Sequence, residues 1–332
     1  MSTTSVTTGA LHPPLEQTAS YPLVRRKSRK KYLYTALLSL LVLFTSMTLS
    51  FHAYIAWTLA RPHIDPLHAD PMSAVGLPYD NITFPSRNGT SHLNGWYVPG
   101  SSDKTVIFSH GYGGNREELW VPLYNLAREL HMQGYNVLMF DYGYVQPGGE
   151  RIVTGGVQES QELLGAVDFA KQMSSGPIFV WGFSMGAGTA LQAALQSDKE
   201  ISGMILDSTF LLNPDTLYHN MRQYVNLPKF PSLPLVRLFY PLLNGVSLQQ
   251  VPYQKVMNTS YQMPLFFIHG TDDNKAPYEM IEEIYGKQHG SAATQLWILP
   301  NAQHELLYRA EPQTYVNRTL GFLQELTAAA KP

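Results

Sequence analysis

Cysteine is absent from the 332 residues. That excludes disulfides, thiolate metal sites and a cysteine nucleophile, and it suits an oxidising compartment where stray thiols would mispair. Also absent are a His-Glu-x-x-His helix, a Walker-type phosphate loop and an EF-hand loop, so neither a metal nor a cofactor is expected. Net charge is nearly absent too, at −2, but it is unevenly spread. Up to Arg61 there are seven basic residues and one acid, Glu16; beyond it, 16 basic against 24 acidic residues leave a body at −8. Such a body does not bind nucleic acid by electrostatics and has no general attraction to anionic lipid. What remains is 44% hydrophobic, enough to bury a full core in one large domain or two small ones.

Charge vanishes altogether from Tyr32 to Ala60, where Leu, Val, Phe, Ala and Met dominate. Some twenty apolar residues at about 1.5 Å each match a hydrocarbon slab of about 30 Å. Arg25, Arg26, Lys27, Arg29, Lys30 and Lys31 stand just before this run, against a single Arg61 just after it. Residues 32–60 are therefore expected to be a single-pass anchor, with residues 1–31 a disordered, basic, cytoplasmic tail. The body is then extracytoplasmic: periplasmic, lumenal or extracellular. A cleaved signal peptide has a shorter apolar region and a small-residue cleavage site. Residues 61–79, rich in Pro, His, Asp and Ala, read as a linker. Asn-x-Ser/Thr sequons at Asn81, Asn88, Asn258 and Asn317 would be usable only in a glycosylating lumen.

Beyond residue 80, short apolar runs alternate with helical patterns. Thr105–Ser109, Val137–Phe140, Ile178–Trp181, Met204–Leu206, Leu265–Ile268 and Leu296–Leu299 are apolar almost throughout, as suits strands covered on both faces. Amphipathic stretches lie near Arg116–Gln133, Val157–Met173, Gly186–Gln196, Pro277–His289 and Pro312–Ala328. This alternation predicts a mostly parallel, twisted sheet flanked by helices over residues 80–328. Ile82–Phe84 and Trp96–Val98, around Asn88-Gly89, predict an antiparallel hairpin at its start. Residues 211–262 interrupt the rhythm with many aromatic and aliphatic residues and five prolines within Leu227–Pro252. So long a connection over the carboxyl edge of a sheet is expected to be a small cap.

Gly182-Phe183-Ser184-Met185-Gly186 follows the third of these strands, where a helix could begin. By itself the pentapeptide is weak, arising by chance in about one chain in ten of this length. Its placement makes Ser184 the candidate nucleophile, held out at a sharp turn. His304, just after the last strand, is the candidate base. The orienting carboxylate is sought at a strand end: Asp273 is favoured, with Asp272 and Asp207 as competitors. Oxyanion donors are expected from the backbone N–H of Met185 and from the glycine turn after His110, at Tyr112.

Taken together, His110-Gly111-Tyr112-Gly113-Gly114-Asn115, the Ser184 pentapeptide, His269-Gly270-Thr271-Asp272-Asp273 and His304 resemble the α/β-hydrolase superfamily over nearly all of residues 80–328. The chain is most similar to the small-lidded, serine-aminopeptidase-like and abhydrolase-domain branch, in which single amino-terminal anchors are common. That resemblance implies that the acid is the last residue of His-Gly-x-x-Asp, which is Asp273. Relatives often carry an Asp-x-Arg-Gly-x-Gly-like turn; here Asp141-Tyr142-Gly143-Tyr144-Val145-Gln146-Pro147-Gly148-Gly149 lacks the arginine. The expected activity is cleavage of carboxylic esters or thioesters of a small-molecule or lipid-like apolar acyl substrate. A peptidase would need a charge to hold a peptide terminus, and Asp215 is the only acid in residues 211–262. A binding module without catalysis would have no need of all three side chains.

Overall fold

The computed structural model describes residues 1–5, 9, 29–146, 151–197 and 199–329. Most of the basic tail expected over residues 1–31 lies outside them, as do residues 147–150 of the glycine turn. The chain divides into two units, Met1–Thr48 and Leu49–Pro332. Helix α1 (Arg29–Thr58) is, among the described residues, the one helix long and apolar enough to cross a membrane. Its large side chains at Leu33, Leu37, Leu40, Leu41 and Phe44 are exposed.

The larger unit is built on eight strands: β1 (Asp80–Pro85), β2 (His92–Val98), β3 (Thr105–Ser109), β4 (Asn136–Phe140), β5 (Ile178–Phe183), β6 (Gly203–Asp207), β7 (Leu265–Gly270) and β8 (Gln295–Leu299). They lie in the order β1-β2-β4-β3-β5-β6-β7-β8. β1 and β2 form the antiparallel hairpin, with Ile82 opposite Gly95, and β2 is antiparallel to β4; the other pairs are parallel. Every residue of β3 to β7 is buried, as unalternating apolar runs require. β8 departs from that expectation: it is the edge strand, and all of it but Leu299 is only partly buried.

Helices α3 (Leu123–Met132), α4 (Val157–Met173), α5 (Met185–Ala194), α9 (Tyr278–Gly286) and α11 (Pro312–Ala329) cover the sheet. α3 is shorter than the expected 116–133, because residues 116–122 turn around polar anchors instead. α4, α5 and α9 bury Leu163, Leu164, Val167, Leu191, Ile281 and Ile284 against one face; α3 and α11 bury Leu126, Leu130, Tyr315, Phe322 and Leu323 against the other. Parallel strands put all their carboxyl ends, and the loops that follow them, on one side.

Within residues 211–262 the chain forms α6 (Pro214–Tyr224), α7 (Lys229–Asn244) and α8 (Tyr253–Asn258). Leu217, Met221, Leu233, Val236 and Tyr240 make a separate apolar cluster with Ala56 and Ala60 from the end of the apolar run. Polar contacts complete it. Asn244 Nδ2 donates to the Ala56 carbonyl (2.9 Å), Arg61 donates to Asn244 Oδ1 (2.5 Å), and Val153 N–H donates to the Ala60 carbonyl (2.8 Å). Residues 61–79, read as a plain linker, carry structure of their own. Asp70 caps α2 (Pro71–Val75), whose Pro71 is buried, and the N–H groups of His68 and Ala69 donate to Glu117. Aspartate before a helix-starting proline is a strong start signal, but five residues are too few to show periodicity.

Candidate active site

Ser184 stands between β5 and α5 with φ 49 and ψ −117, a conformation side chains rarely adopt. Holding it costs about 1–3 kcal/mol, so the surroundings must impose it. They do: Ser184 N–H donates to the Asp207 carbonyl at the end of β6 (2.9 Å), and its own carbonyl accepts from Ala187, Gly188 and Phe210. A Cβ on Gly182 would lie 2.6 Å from Ala187 Cα, and one on Gly186 would lie 2.0 Å from the Ser109 carbonyl oxygen. Only glycine fits at either position, which is the physical content of the pentapeptide.

His304 follows β8, and its Nε2 lies 2.8 Å from Ser184 Oγ. Its Nδ1 lies 2.6 Å from Asp273 Oδ2. With Nδ1–H donated to the carboxylate, Nε2 faces the serine as an acceptor. Asp273 comes from the loop after β7 and is buried. Oδ1 accepts the N–H groups of Lys275 and Ala276, each at 2.8 Å. Burial opposes a charge there, but hydrogen bonds from His269 and His304 outweigh it and hold the carboxyl well below the usual range. The competing acids are elsewhere. Asp272 is exposed beside Thr271. Asp207 is buried against Tyr315 and Ser208, which donate to it at 2.5 Å and 2.8 Å.

Met185 begins α5 beside Ser184, and Tyr112 lies in the turn after β3; both line the same cavity. That turn runs against the serine, since a Cβ on Gly111 would lie 3.4 Å from Ser184 Cβ. The cavity measures about 330 Å³. Ser184, His304, Lys275 and Asn274 lie on its floor; its walls are largely apolar, with Leu59, Val153, Phe210, Leu212, Leu217 and Tyr240.

A family model described as the alpha/beta hydrolase fold matches residues 104–234. The esterase Pf2001 of Pyrococcus furiosus superposes with a TM-score of 0.65 at 27% identity, covering 80% of this chain and 98% of the esterase. The chain has the α/β-hydrolase fold and is similar to members of that superfamily. Among its relatives, an uncharacterized protein of Bacillus subtilis, YqkD, is 27% identical over 89% of this chain and 95% of its own length. A monoglyceride lipase of Saccharomyces cerevisiae is 30% identical over 49% of this chain and 51% of the lipase. A lysophosphatidylserine lipase of Danio rerio is 26% identical over 57% of this chain and 49% of that lipase. The chain thus spans about half the length of these two lipases. It is a hydrolase of the ester-cleaving type.

Several supporting residues of this hydrolase were not legible in its sequence. His269, 0% exposed, lies with Nε2 2.9 Å from the Ala276 carbonyl and 3.1 Å from Asp273 Oδ2, a second imidazole on the acid. Only its place in the His-Gly-x-x-Asp motif hinted at it. The arginine missing after Asp141 is supplied by Arg116, which donates to Asp141 through its backbone N–H (2.6 Å), Nε (3.0 Å) and Nη2 (2.7 Å), and stacks on Trp96. Breaking so buried a pair costs about 3–5 kcal/mol. His110 is buried in a structural role: Nε2 accepts the Tyr142 N–H at 3.2 Å, and burial lowers its pKa to about 4.

Proposed function

We propose that this protein is a membrane-anchored serine hydrolase that cleaves carboxylic ester or thioester bonds of an apolar acyl substrate through an acyl-enzyme. The observation that carries the reading is the unbroken relay of 2.8 Å from Ser184 Oγ to His304 Nε2 and 2.6 Å from His304 Nδ1 to Asp273 Oδ2. It opens on a cavity with apolar walls.

His304 takes the Ser184 proton on Nε2 as Oγ attacks the carbonyl carbon, and Asp273 stabilises the imidazolium and fixes its tautomer. The N–H groups of Met185 and Tyr112 receive the developing oxyanion. His304 then protonates the leaving alcohol or thiol, and a water activated by the same imidazole releases the acid. The esterase and lipases among the relatives support an ester as the bond. The wall of Leu59, Val153, Leu212, Leu217 and Tyr240 supports an apolar acyl group.

Residues 32–60 are read as the anchor, with the cap over residues 211–262 closing on its carboxyl-terminal end. The excess of cations before the helix supports a cytoplasmic amino terminus and an extracytoplasmic catalytic domain. Protease added to right-side-out vesicles should then spare residues 1–31.

Fluorophosphonate labelling of the full-length wild type and of Ser184→Ala, with hydrolysis of 4-nitrophenyl esters, tests the chemistry. The expected result is loss of label and a fall in kcat of about 10⁴-fold or more in the variant. Label persisting without Ser184 rejects the assignment.

A further inference from the structure

Two buried carboxyls beside the site take no part in the serine relay. Glu118, in the turn after β3, is 2% exposed, and Glu305, next to His304, is 7% exposed. Glutamate is almost never buried so deeply unless paired, and both residues adopt left-handed backbone, at φ 40 and φ 57. Glu118 Oε2 accepts the N–H of Gly111 at 2.7 Å, and its carboxylate also takes the N–H of Trp120. Glu305 donates its own N–H to Ser208 Oγ at 2.9 Å, but its Oε1 is buried with no hydrogen-bond partner.

The two carboxyls converge on one residue. A Cβ on Gly111 would lie 2.7 Å from Glu305 Oε1 and 3.3 Å from Glu118 Oε2, so these oxygens are no more than about 6 Å apart. The groups facing Glu305 are mostly acidic: Glu118, Asp207 and Asp273 raise its pKa, and Lys275 alone among the main contributors opposes them. Tyr144 and Tyr315 also lie within reach of Glu118 and Glu305 respectively, and His304 is the chain neighbour of Glu305. Two carboxylates at this spacing, away from water, cannot both ionise cheaply. Burial pushes both upward, and Glu118 pushes Glu305 further.

We propose that of these two carboxyls Glu118 is charged and Glu305 protonated, and that both act as positioning residues, tying the oxyanion turn at Gly111 to the loop that carries His304. The charge on Glu118 fixes the Gly111 N–H and, through it, the adjoining amide of Tyr112. The neutral carboxyl of Glu305 lets the His304 loop pack against that turn. When pH rises, the carboxyl O–H bond breaks and its proton passes to water. A second negative charge then faces the first across Gly111, and repulsion parts the two loops. Turnover falls while ground-state binding by the cavity walls is largely kept. The inference rests on the reading of Ser184 as nucleophile and Tyr112 as donor.

The test is kcat and KM against pH for the full-length wild type, Glu305→Gln and Glu118→Gln, on one short 4-nitrophenyl ester, with fluorophosphonate titration counting reactive Ser184. The wild type should lose kcat on the alkaline side, by about tenfold per pH unit beyond the pair's pKa. Glu305→Gln, neutral at every pH, should flatten that limb. Glu118→Gln should lower kcat by about 10- to 100-fold, with KM within about twofold. A Glu305→Gln profile with the wild-type alkaline limb overturns the proposal. Should that variant fail to fold, infrared spectra of the wild type decide: a protonated-carboxyl stretch should vanish over the same pH range as kcat, and its absence overturns the pairing. Failure of fluorophosphonate to label wild-type Ser184 would instead sink the catalytic reading, while the infrared band still judges the pair.

Discussion

The floor and the walls of the cavity are held by different forces. The floor is polar: Ser184 and His304 are joined by a contact of 2.8 Å, and behind them Asp273 meets His304 at 2.6 Å and takes two further backbone donors at 2.8 Å. The walls are apolar, assembled from Leu59 at the end of the apolar run, Val153, and the cap residues Leu217 and Tyr240. Hydrogen bonds fix direction to within tenths of an ångström, whereas apolar packing fixes volume and tolerates changes of shape. Floor changes should therefore act on the chemical step for every substrate. Wall changes should act on which acyl group enters.

The largest effect expected is at the floor. Asp273→Asn presents an N–H group to His304 Nδ1, turning the imidazole to the tautomer that cannot accept the serine proton. A fall in kcat of about 10⁴-fold is expected on short and long esters alike, with KM little changed. Asp272→Asn, one residue away but exposed, should stay within about twofold of wild type. Steady-state rates on two ester chain lengths check both. A loss confined to long esters would break the distinction between floor and walls.

The strands were readable, and three candidate site residues could be named, because each depends on local pattern. Unbroken apolar runs mark buried parallel strands, and Ser184, Asp273 and His304 each follow such a run. Residues that act across the fold left no such trace. Arg116 meets Asp141 from 25 positions away, and Glu118 meets Glu305 only because β3 and the loop after β8 converge at Gly111. His269 looks like any strand residue until its ring is seen on Asp273. The apolar run of residues 32–60 was readable as one long apolar helix, but not as a docked end: nothing in its composition separates Ala56 and Ala60, both 0% exposed, from the exposed leucines before them.

The surroundings of His304 hold a contrast that pH can sharpen. Asp273 and Glu305 are comparably buried on either side of His304, yet Asp273 is held well below its ordinary range and Glu305 is pushed well above it. The supply of donors decides: Asp273 receives four, and Glu305 Oε1 receives none. For Asp273 the unfolded chain binds the proton more readily, so its contribution to stability is present above about pH 4 and is lost as pH falls toward the folded value. For Glu305 the folded state binds the proton more readily, so its contribution is lost as pH rises from about 4 toward the folded value. Melting temperature against pH should show both limbs. Glu305→Gln should flatten the alkaline limb, and Asp273→Asn the acid one. The opposite assignment of limbs would show that the two carboxyls do not differ as described.

The smallest effect expected is at the wall. Leu59 is half-buried; it lines the cavity, and its carbonyl accepts the Tyr112 hydroxyl at 3.1 Å. Leu59→Trp keeps that carbonyl and the turn of chain that offers it, but fills part of a cavity of about 330 Å³. A few methylenes of lost acyl space are worth about 1–3 kcal/mol in discrimination. The ratio of kcat/KM for long over short 4-nitrophenyl esters should therefore fall by about tenfold or more, while kcat on the shortest ester stays within about twofold. Leu59→Ala should shift the preference the other way, towards longer or bulkier acyl groups. If both variants lowered kcat equally on all esters, this stretch would be bracing the Tyr112 turn rather than shaping the acyl pocket. The wall would then belong, energetically, with the floor.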